Sequence, residues 1–231
     1  MAVLYQIAFM NLFGDIAIST SLCNEGLQLA DQQGDPSLIL RYKTMGGGIL
    51  TNQFLVDEAE NIVHENLLES KKMNSHLDID FNLHFLADIT LIREDYKEAA
   101  IRYLEGTKSS LKHGYIFQSN LDLQGIGMCL CAQGQHLAGL KLFGATNAKF
   151  KTLGIDFSPP DTHQWAILLK KTVGKTIAEI GEERANEIIA DGRLMKMEDA
   201  ILYAEKLINY STIGIRHEAF THLDSNPTSD N

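Results

Sequence analysis

The sequence predicts an all-α protein made of antiparallel helix pairs that repeat about every 40 residues. A row of small residues recurs at this interval after an initial isoleucine, at Ile7, Gly47, Ala87 and Gly127. A second row follows twelve positions later, at Ser19, Ala59, Ala99 and Gly139. No stretch alternates polar and apolar residues as a strand would. Self-similarity with a period of 20–50 residues is typical of stacked supersecondary units.

Each unit is expected to contain two helices joined by a turn. The turns within units are predicted at Gly14–Asp15, Asn52–Gln53, Glu94–Asp95 and Gly134–Gln135, and the unit ends at Gly34–Asp35, Asn74–Ser75, Gly114 and Gly154. Glycine commonly ends a helix because it adopts the left-handed conformation without strain. Small residues at the helix crossing let the two axes approach to about 8–10 Å. Ile7 departs from its row, which an end unit without a preceding neighbour can tolerate.

The C-terminal part is predicted to cap the array. Apolar residues recur at helical spacing from Trp165 to Ile180, and two shorter apolar faces follow around Ile188 and Ile201. Terminal units of a solenoid must cover the last exposed helix face. We therefore expect four helix-pair repeats over residues 1–154, capping helices over 155–210 and a flexible tail over 211–231.

The rows resemble those of the tetratricopeptide repeat family, which has a small residue, an alanine twelve positions later and an aromatic residue four positions after that. The matching triplets are Gly47/Ala59/Val63, Ala87/Ala99/Tyr103 and Gly127/Gly139/Phe143, with Ile7/Ser19/Cys23 as a weaker one. The resemblance covers roughly residues 1–154 and implies a right-handed superhelix with a concave groove. The period is 40 rather than the usual 34, and the unit-ending proline is absent.

A second resemblance is to the C-terminal region of large bacterial signalling ATPases and LuxR-type transcriptional regulators. Its residues are Leu142–Phe143–Gly144–Ala145, Pro159–Pro160, Gly181–Glu182–Glu183 and Glu198–Asp199–Ala200–Ile201, in that order. In those proteins a tetratricopeptide-like array follows an NTPase module. The resemblance implies a regulatory role and suggests a detached portion or a stand-alone relative, since neither an NTPase nor a helix-turn-helix motif is recognisable.

Composition narrows the class of partner. Thirty acidic residues against 20 basic ones give a net charge of −10, which disfavours nucleic acid and anionic membranes. No apolar stretch reaches the ~18–20 residues needed to span a membrane. The three cysteines have no framework spacing and fit a reducing compartment, so we expect a cytoplasmic protein.

No motif predicts catalysis, a cofactor or a metal. Gly174–Lys175–Thr176 imitates the end of a phosphate loop but lacks its first glycine and preceding strand. Gly46–Gly47–Gly48 is better explained by close helix packing. His217 and His222 flank a glutamate, but they are five apart rather than four, the spacing of a helical zinc site. Asp80 and His84 could share a helix face, which is more often a surface hydrogen bond than a metal site.

The most useful surface is therefore expected to be the concave groove. The tetratricopeptide resemblance assigns to it the side chains of Arg41, Thr44, Asn52, Phe81, His84, Asp88, Gln124 and Met128. The leading hypothesis is a non-enzymatic scaffold for protein–protein interaction in a bacterial regulatory or signalling system, with a homo-oligomer possible. The first alternative is a peptide- or small-molecule-sensing domain whose effector domain is separate. The second alternative, an enzyme, lacks a convergent cluster of titratable groups.

Overall fold

The structure, a computed structural model, describes residues 2–213, and every regular element in that range is a helix. The all-α prediction is confirmed for this part of the chain. The helices are α1 (Ala2–Leu12), α2 (Ile16–Gln33), α3 (Pro36–Asn52), α4 (Val56–Lys72), α5 (His76–Ile92), α6 (Tyr96–Lys112), α7 (Ile116–Ala132), α8 (His136–Thr152), α9 (Gln164–Leu169), α10 (Lys175–Ile180), α11 (Glu182–Arg193) and α12 (Met197–Ile213). A π-helical turn, Lys170–Gly174, joins α9 to α10.

The turns predicted from the sequence fall between these helices. Each of α3 to α8 has 17 residues, and their starts are 20 residues apart. A left-handed residue ends α2 and each helix from α3 to α8: Gly34, Phe54, Asn74, Glu94, Gly114, Gly134 and Gly154. Phe54, Asn74 and Glu94 carry side chains in this conformation, which costs roughly 1–2 kcal/mol each.

The order of the helices along the chain is also their order in space. Each helix from α1 to α7 packs against the next, and α1, α3, α5 and α7 also pack against one another in sequence. These four are called the inner helices below, and the face they line is called the inner face. Helices α2, α4, α6 and α8 pack behind them. The inner face is therefore the surface on which several units present side chains together.

The small-residue rows lie where neighbouring helices approach closely. A Cβ atom on Gly47 would lie 2.7 Å from the Val63 side chain, and one on Gly127 would lie 3.1 Å from the carbonyl oxygen of Gly139. Ala87 and Ala99 are fully buried at the equivalent positions. Close packing therefore accounts for the rows from Gly47 onward, including the glycine in the middle of Gly46–Gly47–Gly48. Ile7 is 46% exposed, and the buried residue that meets Ser19 is Ala8.

The C-terminal region covers the array only in part. Helix α11 packs against α8, and α12 contacts α6, α7 and α8. The segment from α9 to the π-helical turn does not cover α8. Instead, α9 contacts α3 and the π turn contacts α7 on the inner face. Helix α12 continues to Ile213, three residues into the region expected to be a tail. The rest of that region, with His217 and His222, lies outside the described residues.

Candidate functional site

The inner helices carry all eight side chains that the sequence assigned to the concave groove, but most of these side chains are buried. Thr44, His84, Asp88, Gln124 and Met128 are almost inaccessible to solvent, while Arg41, Asn52 and Phe81 are half-buried. Their role in binding a partner stays a prediction. In this structure a partner could reach only the half-buried three without a rearrangement.

The start of α9 covers the buried members of the set. The Trp165 side chain is 1% exposed, and its Nε1–H donates to Gln124 Oε1 at 2.9 Å. The same indole lies 5.6 Å from the His84 ring and packs edge-on against Tyr103 at 6.4 Å. Gln164, the preceding residue, is buried as well, with 1% of its surface exposed. The chain thus fills one part of its own inner face.

His84 lies at the centre of a buried polar network between α5 and α7. Its Nδ1 is 2.6 Å from Asp122 Oδ1, and its Nε2 is 3.5 Å from Asp88 Oδ2. The Tyr103 hydroxyl donates to Asp88 Oδ1 at 2.5 Å. Through these contacts one imidazole ring and two carboxylates connect α5, α6 and α7.

The pKa values of this network are set by burial and mutual charge. Burial lowers the pKa of His84, but the carboxylates of Asp88 and Asp122 outweigh burial and raise it above its ordinary value. Burial raises the pKa of Asp122 to about 6, against the opposing effect of its hydrogen bond with His84. Burial also raises the pKa of Asp88. The raised pKa of His84 favours its charged form beside the two carboxylates, which fits a structural role for the network.

Asp80 and His84, which could have shared a helix face, have different partners. Asp80 accepts a hydrogen bond from Ser109 of α6, and its other oxygen lies 3.2 Å from His113 Nδ1. The His113 ring stacks on His76 with centroids 4.0 Å apart. Within residues 2–213 no group of three or more histidine, cysteine, aspartate or glutamate side chains could hold a metal ion.

The remaining part of the inner face carries half-buried aromatic side chains that form a continuous row, called the aromatic strip: Tyr5, Phe9, Phe13, Phe81 and Phe117. Ring centroids are 5.4 Å apart for Phe9–Phe81, 5.8 Å for Phe9–Phe13 and 6.2 Å for Phe13–Phe117. The strip crosses from α1 to α5 and α7. Sequence reasoning assigned only Phe81 to this surface.

A signal for the other members was present in the sequence. Tyr5, Phe9 and Phe13 are four residues apart and so fall on one side of α1. Arg41 adds a charge at the edge of the strip, with its guanidinium 5.5 Å from the centre of the Tyr5 ring. Its Nε donates to Asp78 at 2.7 Å. The half-open surface is therefore aromatic with one paired cation.

No protein-family model, curated protein or solved structure matches the chain. The function must therefore be argued from the chain's own residues.

The Gly174–Lys175–Thr176 sequence does not lie in a loop that could bind a phosphate. Gly174 ends the π-helical turn and Lys175 begins α10, so the two lie within one continuous helical segment. Thr176 is buried, whereas Lys175 is exposed and its Nζ lies 3.8 Å from Glu179. Among the described residues no helix is both long and apolar enough to cross a membrane.

A second concavity lies between α3 and α4. It has a volume of about 480 Å³ and is lined by apolar side chains that include Ile39, Leu40 and Ile62. Lys43 and Glu65 stand among the lining residues with opposite charges. This groove is separate from the aromatic strip and is well within the size range of small-molecule sites.

Proposed function

We propose that the chain is a non-catalytic helical-repeat scaffold that binds a protein or peptide at its inner face. Under this proposal the helix pairs form a tetratricopeptide-like right-handed superhelix with a period of about 40 residues. The setting implied by the C-terminal resemblance is a bacterial regulatory or signalling system in the cytoplasm.

The aromatic strip is the observation that supports this proposal. Aromatic residues and arginine are enriched at the centres of protein–protein interfaces, where a few side chains provide most of the binding energy. Phe9, Phe81 and Arg41 are half-buried and come from three different inner helices. An extended or helical peptide laid across these helices would contact all three.

The buried network around His84 favours a scaffold over an enzyme. Asp122 has no exposed surface and His84 has 4%. Each carboxylate of the network is held by protein donors that come from other helices. A general acid or base must reach its substrate within hydrogen-bond distance, and these groups are enclosed by protein.

The α3–α4 groove keeps the sensing alternative open. Its apolar lining and its charged residues of both signs, Lys43, Glu65 and Glu69, would suit an amphipathic small molecule with both a carboxylate and an amine. The two proposals differ in where they place the ligand. Ile39→Trp, which fills the groove, should leave protein binding at the inner face unchanged and should abolish binding of such a molecule.

Photo-crosslinking tests the scaffold proposal. A benzophenone amino acid in place of Phe81 should give discrete adducts with a partner in cells. The same group in place of Leu68, which is 62% exposed on α4 behind the inner face, provides the matched control. An adduct with twice the mass of the chain would identify a homo-oligomer. Strong adducts at position 68 and none at position 81 would contradict the proposal.

A further inference from the structure

Residues 155–162, called the crossing loop below, connect the end of α8 to α9. They have no regular secondary structure, and five of the eight residues are exposed. The loop leads from the outer helix α8 to the inner face, where His163 begins the contacts that hold α9 in place. It is the one irregular segment of this length within residues 2–213.

Two apolar side chains of the crossing loop, Ile155 at its start and Phe157, pack against the hydrophobic core. The Phe157 ring stacks on Phe150 with centroids 4.9 Å apart. It also packs edge-on against Phe13 at 5.5 Å and Phe117 at 6.0 Å. Since Phe13 and Phe117 belong to the aromatic strip, Phe157 covers one end of the strip. The structure thus contains an example of a ligand for this surface, supplied by the chain itself.

Beyond Ile155, at its start, Phe157 is the side chain of the loop that packs against the core. Within the described chain, the hydrogen bonds of residues 156–162 stay local: Ser158 bonds to Asp156, and the carbonyl of Pro160 accepts from His163 N. The two ends are fixed independently. Ile155 N donates to the carbonyl of Phe150, and His163 Nε2 donates to the carbonyl of Leu12 at 2.9 Å. The loop can therefore lift without breaking the contacts of Trp165.

We propose that the crossing loop is a lid, and that a partner peptide displaces it by placing its own phenylalanine between Phe13, Phe117 and Phe150. The ligand class is an extended peptide with an exposed aromatic side chain. Lifting the lid would extend the open part of the aromatic strip to Phe117 and Phe150, so that the inner face accepts a longer peptide. This inference rests on the proposed function, because it names how the same surface is regulated.

A peptide copied from the loop provides the probe. Residues 154–163 (GIDFSPPDTH), labelled at the N-terminus, are titrated with the full-length protein while fluorescence anisotropy is recorded. In wild type the lid competes with the probe. The apparent Kd of the probe is its intrinsic Kd divided by the fraction of protein molecules in which the lid is lifted. Phe157→Ala removes the competing ring, so the probe should bind this variant at least tenfold more tightly than it binds wild type. The same peptide with alanine in place of its phenylalanine should not bind.

Phe157→Leu keeps the test decisive if the alanine variant does not fold. Leucine fills part of the aromatic site without stacking, so the probe should bind Phe157→Leu more tightly than it binds wild type. Circular dichroism establishes that each variant is folded. Equal affinity of the probe for all folded variants, or no binding to any of them, would overturn the lid. The photo-crosslinking at position 81 is an independent experiment. If it gives adducts while the peptide titration fails, the lid hypothesis is rejected and the proposed function is kept.

Discussion

The contact between α8 and α11 predicts that a single methyl group at Gly144 will destabilise the protein. A Cβ atom built on Gly144 would lie 2.2 Å from the carbonyl oxygen of Ile189 and 3.2 Å from Arg193 N. The contact is reciprocal, because a Cβ atom on Gly192 would lie 2.1 Å from the carbonyl oxygen of Lys141. Backbone atoms face backbone atoms on both sides, so no side chain can rotate away. Gly144→Ala therefore requires the two helices to separate.

The magnitude follows from two opposing effects. Overpacking of a close interface typically costs about 1–3 kcal/mol, and a backbone clash on both sides of the crossing belongs at the upper end. Alanine in place of glycine in a helix interior stabilises the folded state by roughly 1 kcal/mol, because alanine has the higher helix propensity. The net loss of unfolding free energy is about 2 kcal/mol. For a chain of this size, the midpoint of thermal unfolding should fall by roughly 4–8 °C.

Gly46→Ala is the matched control for this experiment. Gly46 also lies inside a helix, but no atom lies within 4 Å of the position its Cβ would take. The same substitution should therefore raise the unfolding midpoint by roughly 2–4 °C, from helix propensity alone. Both variants are compared by circular dichroism at 222 nm under identical conditions. An unchanged or raised midpoint for Gly144→Ala would refute the backbone contact between α8 and α11.

Three further predictions concern the core and the turns. Because burial holds the pKa of Asp122 near 6, above its unfolded value, its contribution to stability is complete at low pH and is lost as the pH rises through 6. Asp122→Asn should therefore lose less unfolding free energy than wild type between pH 5 and pH 8, by roughly 1–1.5 kcal/mol, because only about one pH unit of that range lies below the pKa of Asp122. Phe54→Gly should raise the midpoint by relieving about 1 kcal/mol of left-handed strain at φ 60°, whereas Phe54→Ala, which keeps the strain, should not. Ala99→Leu should lower the midpoint because it adds three heavy atoms to a fully buried crossing, and an unchanged midpoint would place Ala99 at the surface.

The helices and their turns could be predicted from the sequence because both depend on local chemistry. A glycine such as Gly114 or Gly134 allows the left-handed residue that ends a helix, whatever lies elsewhere in the chain. The small-residue rows were equally readable, since helix pairs joined by short turns must cross at fixed points. The close approach at Gly127 lies where the row predicted it.

The covering of the inner face could not be predicted in this way. Trp165 and its neighbours have an apolar periodicity that fits a cap on α8, and they also fit the inner face against α3 and α7. Periodicity states which side chains are buried, but not against which helix. The choice depends on contacts between residues far apart in the chain, such as that of Trp165 with Gln124, and these leave no local pattern. The aromatic strip was readable in part, since Tyr5, Phe9 and Phe13 are four residues apart, but their contacts with Phe81 and Phe117 leave no local pattern.

The hydrogen bond between His163 and the carbonyl of Leu12 joins positions that are 151 residues apart. In a row of helices that touch only their neighbours, either end can fray alone, and unfolding proceeds in steps. Here the first helix cannot detach without also releasing the segment that holds Trp165. The contact between the two ends of the row of helices therefore favours unfolding in a single all-or-none transition. Its folding should also be slower than its helical content suggests, because this last contact must wait until every unit between its partners has formed.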